Sequence, residues 1–162
     1  MGIGTALAIA GGAIAALLAN AGSLIGMRMT GQAAAGVITE DPSKANKIFI
    51  LQLLPSTQGL YGLLTAFLLY LRLNLMFTSE PILALTVGEG IAIFAACLPV
   101  AIVCLISGVQ QAKVAVAGIG MVAKNGELSA RALIMAGSLE LFQIFALLIS
   151  LFGTTFSQIL QK

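Results

Sequence analysis

The sequence predicts an all-α membrane protein: four transmembrane helices folded as two repeated helical hairpins. Three observations lead there. The chain is 59% hydrophobic and only 9% charged, with a mean hydropathy of +1.07, whereas soluble domains carry about 25% charged residues. Four charge-free runs, residues 1–27, 48–71, 90–112 and 141–161, are each long enough as helices to cross a hydrocarbon core of about 30 Å. The two halves also align on each other at an offset of 82 residues.

The first run lacks a basic leading segment and is long for the apolar stretch of a secretion signal, so it reads as a retained span. The second begins after a polar connection at 39–47 that contains Asp41-Pro42-Ser43. A connection around Thr78-Ser79-Glu80-Pro81 precedes the third run, and Lys124-Asn125-Gly126-Glu127 precedes the fourth. The fourth span extends back past Glu140 to Ala132. No room remains for a soluble domain. Arg28, Lys44, Lys47, Lys113, Lys124 and Arg131 flank the first and third connections, while Arg72 and Lys162 fall on the other side. By the bias of basic residues toward the cytoplasm, loops 39–47 and 124–128 face inward and both termini face out. The expected location is the cell membrane, with multiple passes.

At the offset of 82, Gly26 meets Gly108, Ala33 meets Ala115, Ala35-Gly36 meets Ala117-Gly118 and Ser56 meets Ser138. Gln58 then meets Glu140. The expected units are residues 1–81 and 82–162, one hairpin each. Both run in the same sense, unlike the inverted repeats of many transporters. The second unit keeps a carboxylate where the first has an amide.

Small residues recur every fourth position in the first span (Gly4, Ala8, Gly12, Ala16, and Gly11, Ala15, Ala19, Ser23) and in the third (Gly88, Ala92, Ala96, then Cys104, Gly108, Ala112). Small faces let membrane helices approach closely. Packing inside a single four-helix bundle is one reading. The other makes spans one and three the crowded inner layer of a homo-oligomeric ring. Spans two and four, with Phe67, Tyr70, Phe77, Phe142, Phe145 and Phe152, then form the outer layer.

Glu140 carries the chemistry. It lies nine residues beyond Arg131, roughly 14 Å into the span at 1.5 Å per residue. A carboxylate there costs at least ~2.5–3.5 kcal/mol, a cost tolerated when the group pairs, binds an ion or carries a proton. The second span contains Leu53-Leu54-Pro55-Ser56-Thr57-Gln58-Gly59-Leu60-Tyr61-Gly62. Pro55 donates no backbone hydrogen bond and clashes with the carbonyl four residues back, so a kink there exposes carbonyl oxygens at membrane depth. Thr57, Gln58 and Tyr61 add side-chain oxygens, and Gln110 and Gln111 add amides from the third span. These groups either hydrogen-bond the helices together or form an ion site, since a hard cation wants several oxygens and a negative charge. A proton carrier needs only the carboxyl and an apolar pocket. The chain has no histidine, which excludes imidazole metal sites and His-based catalysis. Cys97 and Cys104 sit seven apart in an apolar run, as small buried hydrophobes. A net charge of +2, placed at span ends, points to lipid headgroups and away from nucleic acid.

LLPSTQGLYG at 53–62, SGVQQAKVAVAGI at 107–119 and SLE at 138–140 resemble the proteolipid rotor subunit of V-type ATPases, in particular the duplicated four-helix form of bacterial sodium-pumping enzymes. The resemblance runs from MTGQAAAG at 29–36 onward. Leu24-Ile25 and Met27-Arg28 depart from it, standing where smaller residues are expected. It implies a ring of such subunits, each carrying one ion past a stator as ATP hydrolysis on partner subunits turns the ring. The implied sodium ligands are the Leu54 carbonyl, Thr57, Gln58, Gln111 and Glu140, with Tyr61 hydrogen-bonded to the carboxylate. Proton-translocating relatives generally lack the Thr-Gln pair, so Na+ is the expected ion and H+ the alternative. The implied partners are identical subunits, a stator membrane subunit with a basic residue, and a cytoplasmic central-stalk subunit. No Walker motif is present, so the chain is not an enzyme on its own. A small secondary transporter using Glu140 for coupled exchange, and a passive pore or structural proteolipid, are the competing readings.

Overall fold

A computed structural model describes residues 2–77, 79 and 81–155. It is all-helical, with four helical segments long and apolar enough to cross a membrane: Ile3–Glu40, Pro42–Arg72, Val87–Lys124 and Gly126–Thr154. The first is α1 (Ile3–Glu40). The second comprises α2 (Ala45–Leu53) and α3 (Thr57–Arg72), joined by a tight turn at Leu54–Ser56. The third is α4 (Val87–Lys124). The fourth comprises α5 (Ser129–Gly137) and α6 (Glu140–Thr154).

Helices α1 and α4 are each 38 residues long, about 57 Å at 1.5 Å per residue. They therefore continue past the charge-free runs. The expected connection at 39–47 contracts to a turn, because the Asp41 carboxylate accepts the Ser43 amide and hydroxyl at 3.1 and 2.6 Å and Pro42 starts a helical turn without needing an N–H partner. Asn125 repeats the device, accepting the Glu127 amide at 3.0 Å. The Lys44 ammonium reaches Ala123 O at 2.6 Å, placing a cation on the last carbonyls of α4. At the opposite end, Thr86 and Glu89 form a reciprocal cap that starts α4. Thr5 ties that connection to α1: its hydroxyl donates to Leu83 O at 3.0 Å and accepts the Leu85 amide at 3.2 Å. The expected end of the fourth span at residue 161 lies outside the described residues, as do Thr78, Glu80 and Lys162.

Helices α1 and α4 run side by side in the same sense and form the most extensive contact in the molecule. A β-carbon at Gly22 would lie 2.6 Å from Cys104 O, and one at Gly26 would lie 2.6 Å from Gly108 O. Both pairs are 82 apart, so the offset read from the sequence is the packing register of these helices. Helix α3 leans on α1, with Gly62 against Ala15 and Ala19. Helix α6 leans on α4, with Gly153 against Ala96. Helices α3 and α6 touch each other far less than α1 touches α4.

Two placements within the single protomer refine the sequence reading. Gly88 and Ala92 are exposed, and the buried row at the start of α4 is Gly90, Ile93 and Cys97. A strict four-residue row drifts around a helix of 3.6 residues per turn and cannot face one neighbour over its whole length. Tyr70 faces α1: its hydroxyl donates to Ile9 O at 2.9 Å and its ring fills the space over Gly12. Phe77 lies in the connection after α3, and Phe67, Phe142, Phe145 and Phe152 are exposed in the protomer.

Candidate functional site

The backbone breaks twice at one level, once in each of the second and fourth spans. Pro55 carries no N–H, so the α-helical ladder stops and the chain passes through Leu54–Ser56 before α3 begins at Thr57. The groups around this break find other partners. The Thr30 hydroxyl lies 2.9 Å from Gln52 O, and the Gly59 amide donates to Ser23 Oγ at 2.8 Å. In the fourth span α5 stops at Gly137 and α6 starts at Glu140. Membrane-depth backbone of this kind survives only where protein or a polar cavity satisfies it.

These breaks bring five of the six expected side chains and carbonyls into one hydrogen-bonded chain. Thr57 Oγ1 lies 3.1 Å from Glu140 Oε1 and 3.1 Å from Leu54 O. With one proton, the hydroxyl donates to one of them at a time. Gln111 Nε2 lies 3.4 Å from Glu140 Oε1 and 3.2 Å from Ala136 O. Gln58 joins through Gln111, its Nε2 donating to Gln111 Oε1. Three segments thus converge on one carboxylate: the second span, α4 and the fourth span. Gln58 and Gln111 are fully buried, Glu140 and Thr57 half-buried.

The structure also chooses between adjacent amides. Gln111 faces the site, and Gln110 is exposed on the other side of α4. Tyr61, one turn beyond Gln58, is half-buried, and among the described residues its hydroxyl makes no hydrogen bond to Glu140. The carboxylate oxygen engaged here, Oε1, is taken by Thr57 and Gln111. Sequence reasoning missed Ser23 and the Ala136 carbonyl, which only a neighbouring helix makes relevant. It also missed Gln143, an amide three residues after Glu140 in an apolar helix, a signal present in the sequence.

Chemically, the arrangement offers one carboxylate ringed by neutral oxygens and amide donors. Among the described residues no three acidic, His or Cys side chains come together, so the site does not suit a transition metal. Gln58 Oε1 is buried and without a hydrogen-bond partner, an acceptor oxygen available to a cation or a proton donor. A single carboxylate with such oxygens suits a monovalent hard cation or a proton.

The chain also resembles known proteins. The family model for the C subunit of ATP synthase matches residues 1–69 and again 94–152. The chain is 40% identical over 147 residues to the V-type sodium ATPase subunit K of Enterococcus hirae, covering 91% of this chain and 89% of that one. It is 36% identical over 145 residues to the A-type ATP synthase subunit K of Methanocaldococcus jannaschii, covering 90% of this chain and 60% of that one. A family match to each half, and a relative of nearly equal length, mean that the chain belongs to the ATP synthase C-subunit family as a duplicated, multi-pass rotor-ring proteolipid of V/A-type ATPases, non-catalytic in itself and ion-translocating.

Proposed function

We propose that this proteolipid binds Na+ at Glu140 and carries it across the cell membrane as the ring turns. The observation that carries the reading is the convergence of Thr57, Gln111 and, through Gln111, Gln58 on a lone membrane-depth carboxylate. A desolvated sodium ion needs roughly five or six oxygens. Glu140, Thr57, Gln58, Gln111 and the Leu54 carbonyl supply five. Loading turns the amide oxygens of Gln58 and Gln111 and the lone pairs of Thr57 toward the ion. Tyr61 then closes over the carboxylate. One charge on the ion and one on Glu140 leave the loaded site neutral, so it passes lipid at a modest desolvation cost, while an empty site holds the ring back. The relative from Enterococcus hirae, named as a sodium ATPase subunit, supports Na+ over H+.

In this reading residues 1–81 and 82–162 are the two repeats. Helices α1 and α4 form the inner layer of the ring and the second and fourth spans the outer, which fits the tight α1–α4 approach and the looser α3–α6 contact. The loops at 39–47 and 124–128 face the cytoplasm and meet the central stalk, and both termini face out. A stator subunit with a basic residue exchanges the ion at Glu140.

The test is binding of radioactive sodium to purified rings at several pH values, with Gln58→Ala beside the unmodified protein. Saturable binding at alkaline pH, competed by protons and weakened in the variant, is the expected result. No binding at alkaline pH replaces Na+ with H+ as the cargo.

A further inference from the structure

Gln143 is fully buried, and neither its Oε1 nor its Nε2 has a hydrogen-bond partner. Among the described residues one other buried side-chain polar atom shares that condition, Gln58 Oε1. Gln58 already belongs to the ion site through Gln111. Two contacts fix where Gln143 lies. Gln111 Nε2 on α4 approaches Glu140 of α6, and the Val100 amide on α4 donates to Ser150 Oγ of α6 at 3.1 Å. The helices therefore run antiparallel, and Gln143 sits on the stripe with Ala136, Ala146 and Ser150 that α6 and α5 turn toward α4. It is one turn beyond Glu140, about 4.5 Å along the axis, at the spacing where helix side chains meet. An apolar residue would fill the same space without an unpaired amide, as Ala146 does one turn on.

An amide offers an acceptor and a donor together. Thr57 and Gln111 both act on Glu140 Oε1, which leaves Oε2 for another donor. Resting on the reading of Glu140 as the cation carrier, we propose that Gln143 is a further residue of the ion site: its Oε1 supplies a sixth oxygen to the carried Na+, and its Nε2 holds Glu140 Oε2. Both orphaned atoms then find partners. The coordination rises to the six oxygens a hard cation accepts. The added oxygen helps Na+ and does nothing for a proton, which needs only the carboxyl, so Gln143 raises selectivity for Na+ over H+.

The experiment measures labelling of Glu140 by a carboxyl-modifying carbodiimide in purified rings, across pH and sodium concentration, for the unmodified protein, Gln143→Leu and Gln143→Met. The two variants pack differently, so a folding defect in one does not decide the matter, and ring mass is measured in each. The expected result is intact rings whose half-protecting sodium concentration rises about tenfold at fixed alkaline pH. Half-protection within twofold of the unmodified ring in both variants, or a gain in ring thermal stability with no change in protection, makes Gln143 a packing residue and overturns the inference alone. An unmodified ring that sodium never protects overturns the Na+ reading and this inference with it.

Discussion

In the proposed function Glu140 is the residue that carries the ion, and its variants separate carrier from scaffold. Glu140→Gln keeps the shape and loses the charge, so rings are expected to assemble while ion transport in reconstituted vesicles falls to background. Transport that survives would remove the carrier role. The ligands around it should be separable too. Thr57 lies 3.1 Å from the carboxylate and Gln58 is buried beside Gln111. Thr57→Ala or Gln58→Ala is expected to lower sodium affinity about tenfold, the loss of roughly one strong polar contact, with ring assembly intact. Gln110→Ala, one position from Gln111 but exposed, is the control, and sodium titration of all three variants is the check. Asp41 offers a residue-scale pH effect away from the site. Its hydrogen bonds from Ser43, with help from Lys44, hold its carboxyl below the ordinary value of 3.8. The turn it caps is therefore fully supported above that value and weakens as pH falls through the lower folded-state value. Amide exchange at Ser43 followed between pH 2 and 6 would read this loss.

At the scale of the helices, packing of α1 on α4 depends on the absence of side chains at a few positions. A β-carbon at Gly26 would lie 2.6 Å from Gly108 O and 2.7 Å from Pro55 Cβ, so it meets backbone and a rigid ring, neither of which can swing aside. Gly26→Val is expected to destabilise the protomer by about 1–3 kcal/mol, the usual cost of overpacking. It should also perturb the site, because Pro55 precedes Thr57 by two residues. At Gly36 nothing lies within 4 Å of an added β-carbon. Gly36→Ala should leave stability level or raise it by about 0.5–1 kcal/mol through helix propensity. Thermal dissociation of detergent-purified rings compares the two. The second device at this scale is Ser150, whose hydroxyl accepts the Val100 amide just after Pro99 in α4. A proline disturbs the helical ladder around it, and here the fourth span offers the Val100 amide an acceptor.

For the whole molecule, topology is the property most open to direct measurement. The turns Pro42–Lys44 and Gly126–Leu128 lie at the same end, where Lys47 and Glu127 approach to 3.4 Å. That ion pair is exposed and is worth less than about 1 kcal/mol, so its removal should change little. The basic residues clustered at this end are the reason to expect both turns in the cytoplasm. Single cysteines introduced at Ser43 and Glu127 are expected to react with an impermeant thiol reagent only after cells are opened. The native Cys97 and Cys104 are fully buried and contribute little background. Labelling of both sites in intact cells would invert the topology.

Much of this was legible in the chain alone. Charge-free runs determine which segments cross a membrane, because an unpaired charge in hydrocarbon is too costly to place by chance. Pro55 marked the irregular point of the second span, since it donates no backbone hydrogen bond and clashes with the carbonyl four residues back, although Pro99 shows that a proline can also sit inside an unbroken helix. Glu140 announced itself as the lone acid inside an apolar segment. Choices that depend on which helix packs against which were left to the tertiary structure. Gln110 and Gln111 are equivalent in composition, and only the face that α4 presents to the fourth span selects Gln111. Tyr70 reads only as one of the bulky residues of the second span, and the structure sets its ring over Gly12 of α1. Gln143 looks like any amide in an apolar helix, and acquires meaning only when burial leaves both its polar atoms without partners one turn from Glu140. Hydropathy, backbone chemistry and the 82-residue repeat are written in the sequence, whereas the facing of individual side chains arises between helices, where the close approach of Gly22 and Gly26 to α4 decides what meets what.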